Sequence, residues 1–188
     1  MALIEFDQAW QQHQKALASV MESSQQVEKL LAKIISTFEG QGKVLWLGNG
    51  GSAADAQHMA AEMMVRSVRA RQPLPAIALT TDSSILTAHS NDFAFESVFA
   101  RQIEALAQPQ DVVIAMSTSG TSANVVAALK AAQQKGCFCV AMTGKAPSAL
   151  AQMADWSIQV NSDQTARVQE AHTFLNHLIC EGLDRHFS

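Results

Sequence analysis

Two residues in the first third of the chain are spaced for chemistry. His58 and Glu62 lie four apart, in a stretch from Ser52 to Arg69 that has no Gly or Pro and is rich in Ala and Met. That composition predicts a helix, and the spacing then puts both side chains on one face. An imidazole and a carboxylate so placed can chelate one cation or act as an acid–base pair, although the same spacing also describes an ordinary surface pair. A second set, Gln169, Glu170, His172 and His177, sits in a helical segment from about Gln164 to Arg185. Eight residues turn a helix by about 80° beyond two full turns, so Gln169 and His177 can face one point. Glu170 and His177, seven apart, align better still, and geometry does not choose between Gln169 and Glu170.

Just upstream of His58 the apolar run Lys43–Leu47 stops at Gly48-Asn49-Gly50-Gly51-Ser52. A strand, a glycine turn and a helix N-terminus make an anion site, because glycine lets the main chain approach and the free N–H groups point outward. Ser52 is placed for an N-cap hydroxyl. A second loop, Met116-Ser117-Thr118-Ser119-Gly120-Thr121-Ser122-Ala123-Asn124, carries five hydroxyl residues in six positions. Hydroxyls and helix N-terminal amides together form a neutral cradle suited to a phosphate monoester; a serine-rich turn with one cap is the plainer alternative. Thr143-Gly144-Lys145 echoes the pattern weakly. Neither loop has Walker spacing, and the first lacks the third glycine of a dinucleotide fingerprint, so a small phosphorylated ligand fits better than a nucleotide.

The elements that must position these groups are legible as five apolar runs separated by helical stretches. The runs are Lys43–Leu47, Pro75–Leu79, Asp111–Met116, Cys137–Met142 and Trp156–Val160. Their lack of polar alternation predicts strands buried on both faces, and the helices between them (Ser52–Arg69, Phe95–Ala107, Ser122–Gln134, Ser148–Met153) predict βα units. The expected fold is α/β: a three-layer α/β/α sandwich with a doubly wound, five-stranded parallel sheet, for which strand order 2-1-3-4-5 is the commoner arrangement. A leading segment, 7–38, is helical throughout or breaks at Glu22-Ser23-Ser24; it precedes the first strand and suits packing on the sheet or on a partner subunit. No change of composition, repeat or linker divides residues 1–188, so one domain is expected.

The 188 residues are 48% hydrophobic and 16% charged, with a net charge of −4 and no basic block, which argues against nucleic acid as a main ligand. No apolar run approaches the ~20 residues of a membrane span. The N-terminal residues Glu5, Asp7 and Gln8 do not read as a secretory signal. Cys137, Cys139 and Cys180 form no CxxC motif, and a cytoplasmic protein with reduced thiols is expected.

The two loops together resemble the signature segments of the sugar isomerase (SIS) domain family. Asp55-Ala56-Gln57-His58, Asn91-Asp92-Phe93 and Arg167-Val168-Gln169-Glu170-Ala171-His172 are similar to its phosphoheptose isomerase branch, and the likeness covers nearly the whole chain. That resemblance implies zinc held by His58, Glu62, Gln169 and His177, with Gln169 also near the substrate. It implies conversion of sedoheptulose 7-phosphate to D-glycero-D-manno-heptose 7-phosphate through a cis-enediol, in heptose synthesis for lipopolysaccharide or other glycans. Glu62 is then the base and His177 the partner acid, although a carboxylate firmly bound to zinc is a weaker base. Asn49, Gly50, Gly51, Ser52, Ser117, Thr118, Ser119 and Ser122 would hold the phosphate. Arg66, expected one helical turn after Glu62 on the same face, and Asp92 match substrate contacts of the family; Asp82 is a similar candidate. The resemblance also implies a homotetramer with sites at subunit boundaries. A close relative of the branch is a non-catalytic tetramer that binds the replication initiator protein, and the complete metal set favours the enzyme over that alternative. Two departures stand out: Ala166, where many members have an acid three residues before the Gln, and Lys145-Ala146-Pro147, where many have two glycines.

Overall fold

A computed structural model describes residues 3–145 and 147–188. Strands β1 (Val44–Gly48), β2 (Ala76–Ala78), β3 (Val112–Ser117), β4 (Phe138–Thr143) and β5 (Trp156–Gln159) form one parallel sheet in the order β2-β1-β3-β4-β5. Strand β1 is central to the switch in direction: Val44 pairs with Ala76 on one side and with Val112 on the other. In such a sheet the loops at the strands' carboxyl ends open into a crevice at the reversal of strand order, here between β1 and β3. Those are the glycine and hydroxyl loops.

Because side chains alternate across a strand, each strand feeds two cores. Val44, Trp46, Ile114, Met116, Val140 and Met142 face helices α1 (Phe6–Met21), α2 (Ser24–Glu39), α3 (Gly51–Met64) and α8 (Thr165–Phe187). Leu45, Leu47, Val113, Ala115, Cys139 and Ala141 face α5 (Val98–Leu106), α6 (Ala123–Gln134) and α7 (Ala149–Met153). Double burial accounts for the unbroken apolar runs. The exception is β2, an edge strand on which Ile77 is exposed.

The leading segment is two helices, separated at Glu22 and Ser23. The expected helix 95–107 splits into a single 3-10 turn, Phe95–Ser97, and α5. Helix α4 (Ser83–Asp92) lies between β2 and that turn and includes Asn91 and Asp92. It buries no residue, so it leaves no apolar periodicity to read. Its N-cap is Asp82, whose carboxylate accepts the Ile85 N–H at 2.9 Å. Helix α3 stops at Met64, five residues before the expected Arg69, and its N-cap is Gly50, not Ser52. The loop change noted at 145–147 includes Ala146, which lies outside the described residues. Among the described residues no helix is long and apolar enough to cross a membrane.

Candidate functional site

The glycine loop leaves β1 by a sharp turn. Gly50 has a φ of 55°, outside the range most side chains tolerate, and α3 begins one residue later. Gly48 cannot carry a side chain either, since a Cβ there would lie 2.7 Å from the Ser52 Cβ. Ser52 is buried in the first turn of α3, with its N–H bonded to the Asn49 carbonyl at 3.0 Å. It is therefore part of the floor of the loop and not the cap predicted from its type.

The hydroxyl loop faces it. Ser117, buried at the end of β3, has its Oγ 2.9 Å from that of Ser122 and accepts the Gly120 N–H at 3.1 Å. Gly120 has a φ of 67°, and a Cβ on it would collide with the Ser148 side chain. Ser119 is exposed at the rim, its Oγ accepting the Thr121 N–H at 3.3 Å. The Thr118 carbonyl accepts the Gly144 N–H at 3.1 Å, so the third, weaker loop braces the second. The first two are joined by a reciprocal amide pair: Asn49 Nδ2 donates to Asn124 Oδ1 at 2.8 Å, and Asn124 Nδ2 donates back to Asn49 Oδ1 at 2.9 Å. Between them lies a cavity of about 350 Å³, lined in part by Gly50, Gly51, Ser117, Thr118, Ser122 and Gln169. Glycine main chain and hydroxyls, the chemistry of a phosphate site, share its wall with Met116 and Gln169.

From that cavity a seam runs along two helices. At its near end the Gln169 amide stands over Gly51, where an added Cβ would come within 2.6 Å of it. One turn on, the Thr173 hydroxyl donates to both carboxylate oxygens of Asp55, at 2.9 and 3.0 Å. One turn further, the rings of His58 and His177 meet edge to face, 5.0 Å between centroids. Beneath these polar rungs the contact is apolar, with Cys180 Sγ 3.8 Å from Met59 Sδ. The order of the rungs shows that α3 and α8 run parallel, which is why residues over a hundred positions apart can meet at matching heights. His58 Nε2 also lies 3.7 Å from Glu62 Oε1.

The site residues therefore divide. His58, Glu62 and His177 are gathered at one end of the seam, and Gln169 stands at the other, beside the phosphate loops. Among the described residues, no three His, Cys, Asp or Glu side chains draw close enough to form a closed cation cluster. Arg66 is exposed beyond the end of α3 and not on its face. The physical reason is that Arg71 terminates the helix, its guanidinium donating to the Glu62 and Met63 carbonyls, each at 2.8 Å. Asp92 is the last residue of α4, accepting from the Asn91 amide at 2.8 Å. Ala166 lies exposed in the first turn of α8, and Glu170 turns toward α1, where it meets His13 Nδ1 at 2.8 Å and Arg167 at 2.9 Å.

Asp55 had been given no role of its own. Burial pushes its carboxyl above the usual range, opposed by the Thr173 hydroxyl and by the charges of His58 and His177. It lies three residues before His58 and seven before Glu62, on the same stripe of α3, a spacing that could have found it. Asn124 and the Arg71–Asp184 pair had no such signal, since their partners are distant in sequence.

Comparison with known proteins now decides the family. A model of the SIS domain matches residues 9–144. The chain belongs to the SIS domain family. A phosphoheptose isomerase of Solidesulfovibrio magneticus is 54% identical over 145 residues, 77% of this chain and 71% of that protein. Among solved structures, a phosphoheptose isomerase from Neisseria gonorrhoeae superposes with a TM-score of 0.85 at 39% identity, over 96% of this chain and 95% of that one. One from Francisella tularensis gives 0.88 at 31% identity, over 97% and 100%. Within the SIS family, the chain thus groups with the phosphoheptose isomerases.

Proposed function

We infer that this chain is a phosphoheptose isomerase, an aldose–ketose isomerase that interconverts sedoheptulose 7-phosphate and D-glycero-D-manno-heptose 7-phosphate. The observation that carries the reading is the distance between the two ends of the seam. Gly51 and His58 are seven residues apart, about 10 Å along a helix. The open chain of a heptose has six C–C bonds of roughly 1.5 Å, so a sugar whose 7-phosphate sits in the loops reaches the imidazoles with its first two carbons.

The loops fix the phosphate by hydrogen bonds that do not change during reaction, so their energy orients the distant end. The Glu62 carboxylate takes a proton from C1 of the ketose, leaving a cis-enediol, and returns it to C2. His177 moves the accompanying proton between the two hydroxyl oxygens, and the reverse sequence regenerates the ketose. Asp55 and Thr173 lie between the loops and the imidazoles, placed for the hydroxyls of the middle carbons.

In donor chemistry His58, Glu62, Gln169 and His177 suit a zinc ion, as two imidazoles, a carboxylate and an amide oxygen that a borderline cation accepts. Gln169, however, stands against Gly51 at the far end of the seam, so His58, Glu62 and His177 are the three placed to hold it. Bound there, zinc would supply Lewis-acid charge beside the sugar's carbonyl oxygen. The same reading takes the protein as a cytoplasmic homotetramer acting in heptose synthesis for surface glycans. The exposed apolar residues Phe174 and Leu178 on α8 and Met21 on α1 support further assembly.

The test is to incubate zinc-loaded protein with sedoheptulose 7-phosphate and follow the aldose. Turnover that disappears with a strong chelator and returns with zinc is expected. Absence of product from the loaded protein overturns the isomerase reading.

A further inference from the structure

Glu62 stands in the last turn of α3, two residues before the helix ends at Met64. Such a turn ordinarily frays, because its carbonyls have no partner within the helix. Here they are taken up. Arg71 Nη2 donates to the Glu62 carbonyl and Nη1 to those of Met63 and Gln72, at 2.8, 2.8 and 2.9 Å. The guanidinium is itself oriented by Asp184, which accepts from Nε at 2.8 Å; neither side chain is exposed by more than 1%. The second carboxylate oxygen accepts the N–H groups of Ser67, Val68 and Arg69, at 3.2, 2.6 and 2.8 Å. Burial alone would raise this carboxyl, but the Arg69 and Val68 amides and the Arg71 guanidinium hold it below the usual carboxylate range.

Asp184 belongs to α8, seven residues after His177 and therefore two turns along the same helix. One buried ion pair thus joins the end of the helix that carries Glu62 to the helix that carries His177. A planar fork suits this task, since the guanidinium serves three carbonyls and a carboxylate from spread N–H groups, whereas an ammonium has only three donors on one atom. We propose that Arg71 and Asp184 are a positioning pair that holds the last turn of α3 against α8 and so sets the separation of Glu62 and His177. Neither touches substrate. The inference rests on Glu62 and His177 being the acid–base groups.

Arg71→Lys, which keeps a cation beside Asp184, and Asp184→Asn are compared with the unaltered chain, loaded with zinc, by three measurements. Amide hydrogen exchange is expected to quicken at least about tenfold at Glu62–Val65 and remain unchanged from Gly51 to Ala60. Affinity for inorganic phosphate, which reads only the loops, is expected to stay the same. With sedoheptulose 7-phosphate, kcat is expected to fall about 100-fold, the cost of misplacing reacting groups by an ångström, with little change in KM. Unaltered exchange at Glu62–Val65, or phosphate affinity that falls in parallel with kcat, overturns the proposal, the second outcome marking a merely structural role. If Asp184→Asn does not fold, Arg71→Lys decides. Should the unaltered chain fail to isomerise the sugar, the isomerase reading fails, while exchange and phosphate binding still decide whether the pair holds the α3 terminus.

Discussion

The two ends of the α3–α8 seam are built differently. The end proposed for the phosphate is made of glycine main chain and short hydroxyls at strand termini. It is cross-linked by the Asn49–Asn124 amides, the Ser117–Ser122 hydroxyls and the bond from Gly144 to Thr118. The reacting end is made of longer side chains on two helix faces, with the His58 side chain nearly half exposed and Glu62 one-fifth exposed. Its groups approach one another, but they are fixed chiefly by Arg71 and Asp184 at the helix end. On the proposed function the sheet would fix where the sugar phosphate binds, and helix placement whether it reacts. Substitutions at the two ends should therefore separate binding from turnover.

The largest effect is expected at Glu62. Glu62→Gln keeps the size and the helix but cannot accept the proton, so kcat should fall by roughly 10²–10⁴, the usual contribution of a positioned acid or base. Affinity for inorganic phosphate should be unchanged, because the loops are two to three helical turns away. Calorimetric phosphate binding beside a steady-state assay checks both halves. Turnover close to that of the unaltered chain would remove Glu62 from its role as base, and lost phosphate binding would break the division between the ends.

The two ends also differ in how far the sequence revealed them. The glycine and hydroxyl loops were legible as loops at strand ends because their chemistry is local: glycines at one strand end and hydroxyls at the next each lie in one short stretch of sequence. The same locality made the sheet readable, since double burial leaves unbroken apolar runs, and its order agreed with the commoner arrangement. The reacting end was legible only as the spacing of 58 with 62, since the meeting of His58 with His177 is a property of tertiary packing, and the spacing of 169 with 177 spans the two ends of the seam. Two local readings gave way, one to a neighbouring turn and one to longer-range contact. Ser52 became floor because Gly50 makes the turn, and Arg66 left the helix because Arg71 and Asp184 end it. The Asp55–Thr173 rung joins residues 118 apart, a pairing that no window along one chain can supply.

A smaller effect is expected from the hydroxyls. Ser117→Ala removes one partner of Ser122 and the acceptor of the Gly120 N–H. Loss of one such bond corresponds to about 1 kcal/mol, or roughly a fivefold rise in KM, with kcat nearly constant. Measured with sedoheptulose 7-phosphate, that split is the converse of the one at Glu62. A fall in kcat with constant KM would show that the loops take part in the reaction and would dissolve the comparison.

The subtlest effect concerns His172, which underlies the phosphate end from inside the core. It is fully buried on α8, and its Nε2 lies 3.2 Å from the Thr143 carbonyl, one residue before the Gly144 that braces the hydroxyl loop. Burial pushes its pKa down from 6.5 to about 4, against the opposing pull of that carbonyl. Native His172 therefore stays neutral where the unfolded chain becomes protonated. Its stabilisation is complete above pH 6.5 and is lost as pH falls through the range down to about 4. One proton taken up on unfolding gives a slope of about 1.4 kcal/mol per pH unit, and about 3 kcal/mol across the whole range. Denaturant unfolding at half-unit steps from pH 7 to 4 measures it. His172→Gln keeps an N–H donor and cannot titrate, so it should flatten the slope while turnover at neutral pH is little changed. Asp184 acts in a separate, lower window: its depressed carboxyl stabilises the fold above its unfolded value of 3.8 and loses that effect only on further acidification. A His172→Gln chain that keeps the full slope between pH 6.5 and 4 would assign the acid sensitivity to other groups. A flattened slope with phosphate affinity no longer weakening as pH falls toward 4 would show that the phosphate end, cross-linked as it is, depends on one neutral imidazole beneath it.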